Sequence, residues 1–134
     1  MIELMTDEGI TYCVAEGDRN TAVQQFMNEH AMRSFKCLPP PSDGIIIGAW
    51  QGDLVVGSVA LDFREAHERF PLEELYPLRA FEELFSEGFD RTRIVQAGRW
   101  FTTLKGSTVS HNLLKATGIY ARPRGRIHLL GEGK

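Results

Sequence analysis

The sequence is poor in cysteine, in long apolar runs and in targeting signals. Its two cysteines, Cys13 and Cys37, have no metal-ligand spacing, so we expect buried thiols of a reducing compartment rather than a disulfide scaffold. The longest apolar run, 44–50, has the length of a strand, far below the roughly 20 residues that span a bilayer. The N-terminus lacks the positive and apolar regions of a signal peptide. These absences predict a cytoplasmic protein without a membrane partner.

A surplus of positive charge is also missing. Lysine and arginine number 15 against 18 acidic residues, a net charge of −3, so we do not expect a nucleic-acid partner. The basic residues gather only near the C-terminus, at Arg122, Arg124, Arg126 and Lys134. A weaker alternative is that this stretch binds nucleic acid or an acidic partner with salt-sensitive affinity.

Motifs for metal binding, for a Ser-His-Asp triad and for Rossmann-type nucleotide binding are absent as well, so we expect no metal. The 134 residues fit a single domain, 1–134. A domain of this size buries roughly two-thirds of its unfolded surface and can fold unaided.

Apolar periodicity predicts alternating strands and helices. The predicted elements are a strand at 12–15, a helix at 19–33 capped by Asp18, a hairpin of 45–50 and 54–61, a helical region at 70–85, a strand at 93–103, a helix from Val109 ended by Pro123, and a strand at 126–130. Leu75, Leu78, Phe81, Leu84 and Phe85 form the expected apolar face of the second helical region, and the prolines 39–41 predict a loop. This order predicts an α/β (α+β) fold with a mixed, mostly antiparallel central sheet and flanking helices.

Three segments together carry a resemblance. They are Gly57–Leu61 followed by Phe70–Pro77, then Gln96-Ala97-Gly98-Arg99-Trp100, and then 113–129. In order and spacing they resemble the GNAT-type acyltransferase fold, closest to the branch of N-acyl amino acid synthases and acyl-homoserine-lactone synthases. The second segment looks like that branch's central-strand motif, Glu-x-Ser-Arg followed by an apolar residue.

The resemblance implies an N-acyltransferase that moves an acyl group from a CoA or acyl-carrier-protein thioester to an amine. It implies catalytic roles for Arg99 and Gln96, and a donor site along the strand and the following loop, formed by Trp100, Phe101, Thr102, Lys105, Gly106, Ser107 and Thr108. The full glycine-rich phosphate pattern is absent, which fits an acyl-carrier-protein partner and its phosphopantetheine, or a lost donor site. The alternative for Ser107 or Thr108 is that it caps the next helix.

Three departures separate the chain from this pattern. Gln96 stands where the family has a carboxylate, and an amide cannot take a proton. Ala60 stands where relatives often have arginine, and the chain ends near the fifth strand, so we expect a shortened, bacterial version of the fold. The competing hypothesis is an inactive binding or assembly domain. An open sheet edge would then favour a homodimer whose partner covers the last strand.

Five side chains have two interpretations each. An arginine in an apolar strand needs a carboxylate, so Arg99 either organises the acceptor or pairs internally with an acid of 62–74. Asp62, Glu65 and His67 either reach the mouth of the cleft or form a solvated face. His111 is either a base or phosphate contact, or an ordinary exposed histidine.

Overall fold

The computed structural model describes residues 2–36, 44–103 and 108–131. Cys37 and the prolines 39–41 lie outside them. The strands are β1 Ile2–Asp7, β2 Ile10–Val14, β3 Ile45–Gln51, β4 Leu54–Phe63, β5 Ile94–Thr102 and β6 His128–Leu130; the helices are α1 Asp18–Phe35, α2 Leu78–Leu84 and α3 Val109–Ala121, with short 3-10 helices at Pro71–Glu74, Arg91–Arg93 and Arg122–Arg124. The predicted α+β class is confirmed.

The six strands form one sheet in the order in which they occur along the chain. Each strand is antiparallel to the next, except that β5 and β6 are parallel. A parallel pair needs a crossover connection, and α3 supplies it. The mixed, mostly antiparallel sheet with flanking helices is therefore as predicted.

Helices cover both faces of the sheet. On one face, Val109, Leu113 and Ala116 of α3 join a core cluster with the sheet; on the other, Val23 and Met27 of α1 do the same. The neighbours Ile46 and Ile47 of β3 belong to opposite clusters, and both are at most 2% exposed. The nearly continuous apolar runs of the hairpin are explained by this double burial.

The first strand was missed by the sequence analysis. β1 pairs with β2 through a two-residue turn in which Glu8 and Gly9 both have positive φ, 53° and 78°. Such turns favour glycine, and an Asp-Glu-Gly sequence between two strands is a weak form of this signal. The predicted cap of α1 is also wrong: Gly17 precedes the helix with φ 58°, and Asp18 is the first helical residue.

The second helical region departs most from expectation. Leu75, Leu78 and Leu84 are 53–70% exposed, and Phe81 alone of the predicted apolar face is buried. Pro77 divides the segment into a 3-10 turn and a seven-residue helix, so the spacing across it does not describe one helical face. Phe81 instead packs with Phe70, Ile94 and Leu130 in a small third cluster beside β6.

Within the described ranges, no helix combines the length and the apolar character needed to cross a membrane. Cys13 is fully buried, as expected for a structural thiol.

Candidate active site at the bulge of β5

A bulge interrupts β5 at its centre. Ala60 of β4 pairs with Gly98, but Ser58 pairs with Phe101, so one extra residue is inserted on β5 between these pairs. Arg99 lies in this insertion with φ 50°, the left-handed region that arginine rarely adopts. The hydroxyl of Ser58, which is completely buried, donates a hydrogen bond of 2.9 Å to the carbonyl oxygen of Arg99. The bulge is therefore fixed from the neighbouring strand.

Open space adjoins the bulge. A Cβ atom placed on Gly98 would meet no heavy atom within 4 Å, although the residue is half-buried. Strand alternation places Gly98 on the same face as Gln96 and Ile94, the face that α1 and α2 cover. We call Asp62, Gln96, Gly98 and Arg99 the bulge site.

Arg99 has a charge partner at a distance. Burial lowers the pKa of its guanidinium, and the negative charge of Asp62 opposes this shift. Among the described residues no carboxylate lies within 4 Å of Arg99, so the internal contact ion pair that was one of its two interpretations is not formed there. The guanidinium of Arg99 is thus partly desolvated without being neutralised by contact, which strengthens its interaction with any anion nearby.

Gln96 has a structural contact. It is 7% exposed, and its Oε1 accepts a hydrogen bond of 3.0 Å from the backbone N–H of Leu72. This contact ties the 3-10 helix Pro71–Glu74 to β5, the strand next to the edge strand β6. An amide in this position orients the segment above the sheet but takes no proton, as the sequence indicated.

A carboxylate does lie next to Gln96. Asp62 is its partner across the β4–β5 ladder, and the Asp62 side chain is only 14% exposed. Its Oδ1 is 3.7 Å from a guanidinium nitrogen of Arg64. Asp62 lies within β4 rather than in the charged stretch after it, and so it belongs to the bulge site. Glu65 and His67 are exposed, which agrees with the solvated-face interpretation.

A buried ion pair secures the 3-10 helix that Gln96 contacts. Glu73 is 3% exposed, and both its oxygens accept from the Arg91 guanidinium, at 2.6 and 2.9 Å. Its Oε2 also accepts from the backbone N–H of Phe70 at 2.6 Å. We call Glu73, Arg91 and Phe70 the latch. The sequence analysis missed it, because nothing in a local pattern links residues 18 positions apart.

The latch predicts a specific pH dependence. The Arg91 hydrogen bonds, followed by the Phe70 N–H, hold the pKa of Glu73 below its ordinary value of 4.5, although burial opposes them. A carboxylate with a lowered folded-state pKa contributes stability that is fully present above the unfolded-state value and is lost as the pH falls through the folded-state value. We therefore expect the difference in unfolding free energy between wild type and Glu73→Gln to be constant from pH 7 to 5 and to shrink below about pH 4.5. Urea titrations at each pH measure this difference, and a gap that is unchanged at pH 3 would contradict the prediction.

His30 is a further titratable side chain on this face. Its ring stacks on Phe101 of β5 with centroids 5.5 Å apart, and lies 4.4 Å from the ring of Phe26. Burial, then the charge of Arg33, lowers the pKa of its imidazole, so the ring is neutral at neutral pH. His30 follows Phe26 by four residues, and this helical spacing puts it on the apolar face of α1. A histidine among the apolar residues of one helix face is the sequence signal that could have pointed to this position.

The predicted donor residues on β5 follow the bulge. Phe101 packs against the α1-side cluster and Trp100 against the α3-side cluster. The indole N–H of Trp100 is buried and has no hydrogen-bond acceptor in the described part of the chain. β6 pairs with β5 only from Ile94 to Gln96, so no described strand pairs with that side of β5 at Gly98–Thr102. Within the described ranges, the strand pairing on this side of β5 therefore ends at Gln96.

The loop before α3 is described in part. Lys105, Gly106 and Ser107 lie outside the described residues. Thr108 precedes α3, and its side chain makes no capping hydrogen bond, so the capping alternative is wrong for Thr108. His111 is exposed on the first turn of α3, in agreement with its ordinary interpretation.

Two of the C-terminal arginines serve the fold itself. Arg124 lies over the ring of Tyr120, 3.7 Å from its centroid, and donates to the Tyr120 carbonyl oxygen. Arg126 donates to the carbonyl oxygens of Arg64 and Arg91. These contacts leave fewer guanidinium N–H donors of Arg124 and Arg126 for the nucleic-acid alternative.

Comparison with known proteins adds no identity: no family model, no curated protein and no solved structure matches the chain. Among the residues the structure describes, no group of three or more histidine, cysteine or acidic side chains is arranged to hold a metal ion.

Proposed function

We propose that the protein is an N-acyltransferase that moves an acyl group from a CoA or acyl-carrier-protein thioester to an amine at the bulge site. The observation that carries the proposal is the bulge of β5, where a non-glycine residue with positive φ lies beside open space. Backbone strain of this kind persists where the surroundings over-determine it, and it clusters at functional sites. The resemblance in sequence supports the same reaction class.

The reaction requires three groups of the protein: one that stabilises the oxyanion or holds the acceptor, one that takes the proton, and one that binds the donor. The amine nitrogen bonds to the thioester carbonyl carbon, the carbonyl oxygen becomes an oxyanion, the nitrogen loses a proton, and the C–S bond breaks to release the thiol. We assign the oxyanion or an acceptor carboxylate to Arg99, and the proton to Asp62, because Gln96 cannot take one. The β5 backbone at Gly98–Phe101, which pairs with no described strand on its β6 side, offers donors for the amide-rich phosphopantetheine arm.

A mass-resolved assay tests this function. The purified protein is incubated with mixed acyl-CoA and acyl-carrier-protein donors and an amino-acid pool. We expect an acylated amine whose rate of formation falls about 10²–10³-fold in Arg99→Ala, the usual cost of losing one oxyanion donor. Arg79→Ala is the matched control, since Arg79 is an exposed arginine paired with Glu83. If the protein shows no turnover and no binding with any of the donors, the proposal is contradicted.

A second candidate is a binding domain that has lost catalysis. The contact that favours it is the hydrogen bond from the Leu72 backbone N–H to the amide oxygen of Gln96. Gln96 stands where the family has a carboxylate, and this bond gives it a structural role instead. In the same assay this candidate requires that a folded protein binds the donor without forming product.

The expected homodimer stays a prediction, and β6, with three residues, offers a partner chain few ladder hydrogen bonds. A monomer by light scattering at micromolar concentration would contradict it.

A further inference from the structure

A groove lies on the other face of the sheet from the bulge site. It has a volume of about 720 Å³ and lies between the C-terminal half of α3, the 3-10 helix after it, and β6. This volume falls within the range of small-molecule sites. Val95, on the α3 face of β5, contributes to its lining. We call it the α3–β6 groove.

The walls of the groove are apolar and exposed. Four large apolar side chains that are 41–51% exposed converge on it: Leu114, Ile119, Ile127 and Leu129. Single exposed leucines are ordinary on a protein surface, but a contiguous apolar patch around a concavity marks a binding site.

A glycine deepens the groove. Gly118 lies in the last turn of α3, and glycine inside a helix costs up to about 1 kcal/mol relative to alanine. A Cβ atom at this position would meet nothing within 4 Å, so close packing does not explain the glycine. Gly118 instead leaves space on the groove side of the helix.

The charge on the groove has one sign. Lys115, Arg122 and Arg126 are among its lining residues, and no acidic residue is. Arg126 is occupied by backbone carbonyl oxygens. Lys115 and Arg122 are exposed, and no ion pair to either is found in the described ranges. In a protein of net charge −3, this is a local surplus of positive charge beside an apolar surface.

We infer that the α3–β6 groove binds a single-chain amphiphile with an anionic head, of the class of long-chain carboxylates. The alkyl chain lies against the leucines and isoleucines over Gly118, and the head meets Lys115 and Arg122. A bilayer surface is disfavoured because membrane-binding patches collect about four to eight cations. An added peptide strand is disfavoured because β6 offers only three residues for pairing. The site is separate from the bulge site, and its occupancy does not depend on acyl transfer.

Titration of ¹⁵N-labelled protein with sodium dodecanoate below its micelle concentration tests the inference without requiring turnover. We expect saturable shifts of backbone amide signals confined to the groove, at residues such as Gly118 and Ile127. Hexanoate should bind more than about 100-fold more weakly, since each buried CH₂ contributes about 0.8 kcal/mol. Acetate and dodecyltrimethylammonium separate the contributions of head and chain, and neither should reproduce the shifts.

Variants make the test specific to the groove. Gly118→Phe fills it and should weaken dodecanoate binding at least about tenfold, while Ser110→Phe, an exposed position on the same helix outside the groove lining, should not. The double variant Lys115→Ala/Arg122→Ala should weaken binding about fivefold, against no change for Arg33→Ala on α1. If Gly118→Phe does not fold, Gly118→Leu and the double variant carry the same comparison.

Several results would overturn the inference. One is equal affinity for dodecanoate and dodecyltrimethylammonium. Another is that Ser110→Phe weakens dodecanoate binding as much as Gly118→Phe does. A third is that the protein binds anionic vesicles but does not bind monomeric dodecanoate. A doubled mass in light scattering that Gly118→Phe abolishes would mean that a second copy of the chain covers the groove, and would also overturn it.

Discussion

Replacing Glu73 by alanine is expected to lower the free energy of unfolding by about 3–5 kcal/mol, the usual cost of removing one partner of a buried ion pair. Arg91, whose side chain is 19% exposed, would lose both carboxylate contacts and remain charged in a poorly solvated place. The fully buried Phe70 would lose the acceptor of its backbone N–H. Both losses arise from groups left unpaired, which is why the expected cost exceeds the net value of the contacts themselves.

Urea unfolding followed by circular dichroism measures this cost. The matched control is Glu83→Ala, which removes the exposed pair with Arg79, where the side chains are 67% and 87% exposed. An exposed pair contributes about 0–1 kcal/mol, so the control should stay within that range. The double variant Glu73→Leu/Arg91→Met should recover part of the loss, because it leaves no unpaired charge. A Glu73→Ala protein within about 1 kcal/mol of wild type would show that the latch contributes little.

The latch matters for the site as well as for stability. It fixes the 3-10 helix whose Leu72 N–H contacts Gln96, and Gln96 is the ladder partner of Asp62. Loosening the latch therefore frees the segment that lies above one side of the bulge site. Glu73→Ala therefore tests how a residue outside the bulge site affects the geometry of the residues to which we assign a role.

Local patterns were sufficient for most of the fold. The β3–β4 hairpin and α3 were predicted because each has a strong period and a clear end, a Gly-containing turn in one case and Pro123 in the other. β1 was missed because its exposure does not alternate regularly, and its turn carries Glu8 where asparagine or aspartate is usual. The apolar face of α2 was wrong because Pro77 separates residues that the spacing joined. The errors thus fall where backbone geometry overrode the apolar pattern.

The site was less accessible to sequence reasoning. Arg99 and Gln96 were found through a resemblance, but neither the bulge nor the positive φ of Arg99 follows from the local sequence. Both arise from the register between β4 and β5, which the buried hydroxyl of Ser58 helps to hold. For Asp62 the sequence left two interpretations open, the mouth of the cleft or a solvated face, and its place opposite Gln96 also depends on register. Long-range pairing decides which polar residues meet, and the periodicity of one segment carries no information about it.

Replacing Arg99 by glycine should separate the side chain from the backbone geometry it occupies. At φ 50° a non-glycine residue has a strain of about 1–2 kcal/mol, which glycine relieves, while the greater freedom of glycine in the unfolded chain costs about 0.5–1 kcal/mol. The free energy of unfolding of Arg99→Gly should therefore stay within about 1 kcal/mol of wild type. The proposed acyl transfer should nevertheless fall about 10²–10³-fold, because the guanidinium to which we assign the oxyanion or the acceptor is gone.

Two further variants at this position separate the effect of the positive charge from the effect of backbone strain. Arg99→Lys keeps the positive charge but not the planar, bidentate fork, so its rate should lie between wild type and Arg99→Gly. Arg99→Val places a β-branched residue in the left-handed region and should lose stability as well as activity. Activity close to wild type in Arg99→Gly would show that the backbone of the bulge is sufficient and that the guanidinium has no part in the reaction. Loss of stability in Arg99→Gly equal to that in Arg99→Val would show that the arginine is held for packing, since relief of strain would then have no visible effect.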